Sequence, residues 1–77
     1  MPFDYRKLRG KIKEFYGTET EFALALGLSR TSLSMRLNNL VQFTSYEMAK
    51  SAELLHFPIQ DLHIYFFTPE VQKHEQD

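Results

Sequence analysis

The stretch TETEFALALGLSRTSLSMRLNN, residues 18–39, constrains the fold more than any other part of the chain. Thr18 and Glu21 stand at capping-box spacing: the hydroxyl can accept from the Glu21 N–H, and the carboxylate can reach back to the Thr18 N–H. Phe22, Ala23 and Leu26 then form the inward stripe of a helix that must end at Leu26. Gly27 supplies the left-handed backbone of a sharp turn, and Ser29 caps a second helix that runs to about Asn39. Two short helices therefore meet at an angle. Ala23 is small where they approach, and Leu28 and Leu33 fill the corner between them.

The flanking segments read as helices too. Residues 4–16 place Leu8, Ile12 and Phe15 on one stripe, with Asp4 as the cap, Gly17 as the stop, and Arg6, Arg9 and Lys13 off the stripe. A second box at Thr44 and Glu47 opens a helix with Met48, Ala52 and Leu55 inward, ending at His56. Pro58 suits the first turn of a last helix, 59–66, with Ile59, Leu62 and Phe66 inward. The expectation is an all-α, compact five-helix domain over residues 1–67, followed by a polar, flexible tail, 68–77. A hydrophobic fraction of 43% and an aromatic fraction of 14% can fill one core in 77 residues.

The same composition narrows the function. With no cysteine, disulfides and thiolate metal sites are excluded. No apolar run is long enough to span a membrane, and the N-terminus lacks a signal-peptide core, so a cytoplasmic protein is expected. His56, His63 and His74 do not share metal-ligand spacing. There is no nucleophile triad, glycine-rich phosphate loop or confined carboxylate pair, so neither catalysis nor a cofactor is expected. Net charge is −1, but it is unevenly spread: residues 1–43 carry seven cations against four carboxylates, +3, and residues 44–77 carry two against six, −4.

Two capped helices joined by a glycine turn form a helix-turn-helix. On residues 18–39, the capped FTSYE segment and AELLHFPIQDL, the chain resembles the Cro and lambda-repressor type of helix-turn-helix domain. That resemblance covers about residues 4–66 and implies a lambda-repressor-like five-helix fold that binds DNA. SLSMRLNN together with IYFF looks particularly like short regulators encoded by bacteriophages of Gram-positive hosts, acting in the bacterial host cell.

A helical wheel of residues 29–42 puts Leu33, Leu37 and Leu40 toward the core and Thr31, Met35 and Asn38 opposite, with Ser34 on the flank. Such short outer side chains let a helix backbone approach another surface closely. The resemblance implies double-stranded DNA as the partner. Arg30, Thr31, Ser34 and Met35 would contact bases in the major groove, and Thr18, Arg36, Asn38 and Asn39 would contact phosphates.

Several readings stay open. Arg36 stands where the family is usually apolar, and is either a phosphate ligand or a surface arginine at the core edge. Glu19, where the family commonly has glutamine, either braces Arg30 or complements the positive end of its own helix. Asn39 is a left-handed cap or a DNA contact. Arg6, Arg9 and Lys13 add long-range attraction or form a solvated face. The aromatic edge of Ile59–Phe67 supports a homodimer, which would set two recognition helices about 34 Å apart, or else it is covered by Phe3 and Tyr5. The other functional class is a protein-interaction module that uses the same helix-turn-helix surface on a partner protein, for which near-zero net charge is no obstacle.

Overall fold

The computed structural model describes residues 2–71. Five helices follow in order: α1 (Arg6–Tyr16), α2 (Glu19–Leu26), α3 (Arg30–Leu37), α4 (Ser45–Leu54) and α5 (Leu62–Phe66), with a 3-10 turn at Ile59–Asp61 leading into α5. No strand longer than a bridge is present among the described residues; Phe3 and Pro69 form an isolated antiparallel bridge. The expected all-α, five-helix architecture is what the chain adopts.

The helix starts follow the cap residues. The Thr18, Ser29 and Thr44 side chains accept from the N–H groups of Glu21, Ser32 and Glu47. The reciprocal box is complete at Thr44, whereas at Thr18 only the hydroxyl half forms. Asp4 acts from one residue outside the expected place: Tyr5 holds the N-cap position, and the Asp4 carboxylate accepts from the Arg6 N–H at 2.9 Å.

Three helices stop in the same way. A left-handed residue follows the last turn, and the two N–H groups at the break return to carbonyls in that turn. For α2 the left-handed residue is Gly27, with Leu28 N–H on Ala23 C=O at 2.8 Å. For α3 it is Asn39, with Leu40 N–H on Met35 C=O at 2.8 Å. For α4 it is His56, with Phe57 N–H on Ala52 C=O at 3.1 Å. The stops at 27, 39 and 56 are those the sequence predicts.

One core joins the elements. Leu8 and Ile12 of α1, Phe22 of α2, Leu33 of α3, Leu55 and Phe66 are almost wholly shielded from water. Each such side chain contributes about 1.5–3 kcal/mol by leaving water. Tyr5, Phe43 and Phe66 meet edge to face, with Phe43–Phe66 centroids 5.0 Å apart.

The structure corrects four further expectations about exposure and packing. Phe15 is 42% exposed and lies on the His56 ring; Tyr16 turns inward to Phe22 instead. Leu40 is 73% exposed, because α3 ends at Leu37 and the left-handed Asn39 swings the chain off the helical wheel. Ile59 is 55% exposed, because the 3-10 turn advances each residue by a third of a circle and rotates the α-helical register before α5. Residues 68–70 are not a free tail: Asp4 N–H donates to Thr68 C=O at 2.7 Å and Glu70 N–H to Pro2 C=O at 3.1 Å. The rest of the expected tail, 72–77, with His74, lies outside the described residues. No helix among the described residues is long and apolar enough to cross a membrane.

Candidate recognition surface

The surface is built on α3, and α3 is set by the turn before it. Gly27 has φ +85, and a Cβ placed there meets no atom within 4 Å, so glycine is required by the backbone and not by crowding. Ser29 then caps α3, its hydroxyl accepting from Ser32 N–H at 3.0 Å and donating to Ser32 Oγ at 3.0 Å. Leu33 and Leu37 anchor α3 in the core. That anchoring decides which side chains face outward.

Arg30 and Thr31 are exposed on the first turn, and Ser34 and Met35 are half-buried on the flank. Of the four residues expected to touch bases, Arg30 and Thr31 are accessible, whereas Ser34 and Met35, the latter expected opposite the core, are partly covered. The short outer side remains available to a partner, although some of its polar capacity is already used. Asn38 Nδ2 donates to Ser34 C=O at 2.9 Å and to Ser34 Oγ at 3.3 Å. Thr18 is exposed at the start of α2, its hydroxyl occupied by Glu21 N–H.

Arg36 is placed differently from the expected phosphate ligand. Its Nε donates to Glu47 Oε1 at 2.8 Å, its Nη2 to Glu47 Oε2 at 3.2 Å, and its Nη1 to Ser32 C=O at 3.0 Å. The side chains of Arg36 and Glu47 are only 14% and 10% exposed. A planar fork on a carboxylate in so dry a place is a buried ion pair, and the guanidinium is not presented to phosphate. Burial alone would push the Glu47 carboxyl up. The Arg36 guanidinium and the Thr44 N–H together outweigh that and hold it below the usual carboxylate range. Sequence reasoning missed this pair. The available signal is an arginine at a usually apolar position, which needs a carboxylate partner, and Glu47 serves both that arginine and the Thr44 cap.

Glu19 does not brace Arg30. Its Oε2 accepts from Arg9 Nη1 at 2.6 Å, and Arg9 Nη2 reaches Leu37 C=O at 3.3 Å, tying α1 to the start of α2 and the end of α3. Asn39 is also removed from the phosphate set, since its amide is paired with the backbone of Phe3 at 2.9 and 3.0 Å. Arg6 is clamped by Asp4, which holds the Asp4 carboxyl down to about 2.

The electrostatic result is specific. Residues 18–47 hold two cations, Arg30 and Arg36, against three carboxylates, Glu19, Glu21 and Glu47. Among the described residues of that segment, Arg30 is the cation without an ion pair. Exposed aliphatic side chains lie nearby in the chain: Leu24 on α2, and Leu40 and Val41 where the chain leaves α3. Phe3 packs edge-on against Phe67 at 5.7 Å, leaving Phe67 47% exposed, and Tyr5 meets the buried Phe66.

No curated protein matches the sequence. Among solved structures, the solution structure of the modulator of repression (MOR) of the temperate bacteriophage TP901-1 from Lactococcus lactis is similar. It aligns with a TM-score of 0.77 and 40% identity, covering 94% of this chain and 97% of that one. A family model described as "Protein of unknown function (DUF739)" matches residues 1–69, and the chain belongs to that family.

Proposed function

We propose that this chain is a small regulator of repression that works by docking its α2–α3 surface on a protein of the repression apparatus, the repressor first. The observation that carries this reading is the charge state of the surface. Its guanidiniums other than Arg30 are engaged by carboxylates of the same chain, while Leu24, Leu40 and Val41 are left to solvent. A duplex-binding face draws a large share of its affinity from cations that displace counterions, and residues 18–47, which build α2 and α3, hold two cations against three carboxylates. Exposed aliphatic residues around a slim helix suit a protein partner better. The likeness to a phage modulator of repression supports a role in the same process.

A second reading, operator binding, is favoured by one observation: the first turn of α3 presents Arg30 and Thr31 freely. Here α2, the Gly27 turn and α3 would act as a Cro-type helix-turn-helix, with Arg30 forking onto a guanine edge. Titrating duplex DNA from a random-sequence pool, and separately the repressor, separates the two. For protein docking, the repressor binds, duplex binding is absent at low salt, and Leu40→Ser together with Arg30→Glu weakens the complex by roughly 30-fold or more. Tight duplex binding whose log affinity falls linearly with log salt refutes this reading. In that case Arg30→Ala should cost ~1–3 kcal/mol and relax one base position.

A further inference from the structure

We propose that residues 2–4, hinged on the buried Tyr5, form a releasable strap that couples the end of α3 to the segment 68–70. Asn39 is the left-handed residue that stops α3, and its side chain does a second job. The amide accepts from Phe3 N–H at 2.9 Å and donates to Phe3 C=O at 3.0 Å, the paired exchange that a neighbouring strand would make. The other edge of the same short segment pairs with the chain after α5. Asp4 N–H meets Thr68 C=O at 2.7 Å, Glu70 N–H meets Pro2 C=O at 3.1 Å, and the Phe3 ring stands on Phe67. Leu40 and Val41 follow Asn39 directly, both with their N–H groups on Met35 C=O. One hydrogen-bonded strip therefore links the aliphatic edge beside α3 to residues 68–70, which are more than 25 positions away.

The strap is held lightly. Both Asn39–Phe3 bonds are exposed, and an open groove runs along each side. One groove, about 520 Å³, is lined by Arg6, Arg9, Leu37, Asn38 and Val71 among others. The other, about 280 Å³, is lined by Pro2, Tyr5, Val41 and Gln42 among others. Tyr5 is buried against Phe43 and Phe66 and stays with the core, so local opening is confined to residues 2–4, whose bonds to Asn39 face solvent. Release of the strap frees Asn39 and loosens the Leu40–Val41 edge. A molecule that grips residues 2–4 or 68–70 thereby tunes that edge without touching it. The coupling holds whichever partner the α2–α3 surface takes.

Amide exchange and chemical shifts, read by NMR on the full chain, test it with three variants. Asn39→Gly keeps the left-handed stop but removes both bonds to Phe3; Asn39→Asp keeps only the acceptor; Phe3→Ala loosens the strap from the far side. Asn39→Gly is expected to speed exchange at Phe3, Asp4 and Glu70 roughly five- to tenfold, the return on one ordinary hydrogen bond, with Asn39→Asp between it and the parent. Leu55, whose N–H is bonded to Ser51 C=O in the core, should exchange at its parent rate. Phe3→Ala should move the amide signals of Leu40 and Val41. The proposal is overturned if Phe3→Ala leaves those two signals in place. It is equally overturned if Asn39→Gly leaves Glu70 exchange unchanged, or speeds Leu55 as much as Phe3.

Discussion

Replacing Glu47 by Gln, Arg36 by Met, and both together probes the pair that withdraws Arg36 from the surface. The two side chains are joined by bonds of 2.8 and 3.2 Å at 14% and 10% exposure, so each single change strands a nearly dry ion or its donors. Stranding one member of a buried pair costs about 3–5 kcal/mol; the Thr44 N–H still serves position 47 in every variant, so the lower end, about 3 kcal/mol, is expected for each single. Removing both charges leaves a glutamine that can still complete the Thr44 box and a methionine that can fill the stem's place. The double variant should therefore be no less stable than either single, giving a coupling of at least about 3 kcal/mol. In a domain of 77 residues each single should lower the midpoint of a thermal melt by about 12–24 °C. Urea unfolding followed by circular dichroism measures the energies directly.

The pH dependence has a defined sign. The folded-state pKa of Glu47 is depressed, so its contribution is fully present above the unfolded value, about 4.3, and is lost as pH falls through the folded value. The gap between the parent and Arg36→Met should accordingly close in acid. Strictly additive singles, or singles that each cost less than about 0.5 kcal/mol, would refute the buried pair and return Arg36 to solvent.

Other outcomes follow from single positions. Gly27→Ala should destabilise by about 1–2 kcal/mol through backbone strain alone, since φ is +85 and the added Cβ meets nothing. Gly10→Ala, inside α1 with equally open space, should stabilise by about 0.5–1 kcal/mol; equal responses at the two glycines in parallel urea titrations would contradict the left-handed assignment. Leu33→Ala should cost about 2–5 kcal/mol, whereas Leu40→Ser, at a site 73% exposed, should leave the melt within about 0.5 kcal/mol of the parent. A large loss at Leu40 would mean that it packs in the core after all. Arg9→Met should weaken the tie between α1, Glu19 and the end of α3, lowering stability by ~1 kcal/mol, given side chains that are 39% and 30% exposed.

What could be read from the sequence is what is local. The hydroxyl caps at 18, 29 and 44 and the left-handed stops at 27, 39 and 56 act within a few residues of their partners, so spacing along the chain is enough to place them. The inward stripe of Leu33 and Leu37 follows from helical period in the same way, and with it the outward side of Arg30, Thr31 and Ser34. The destinations of the long polar side chains could not be read. Arg9 pairs across 10 positions, Arg36 across 11 and Asn39 across 36. A flexible side chain of that reach has many partners in sequence, and only the packed arrangement of the helices selects one. That selection also decided the character of the surface: Arg6, Arg9 and Arg36 are each paired with a carboxylate of the same chain, and the α2–α3 side keeps Arg30, short hydroxyls and the aliphatic Leu24 exposed.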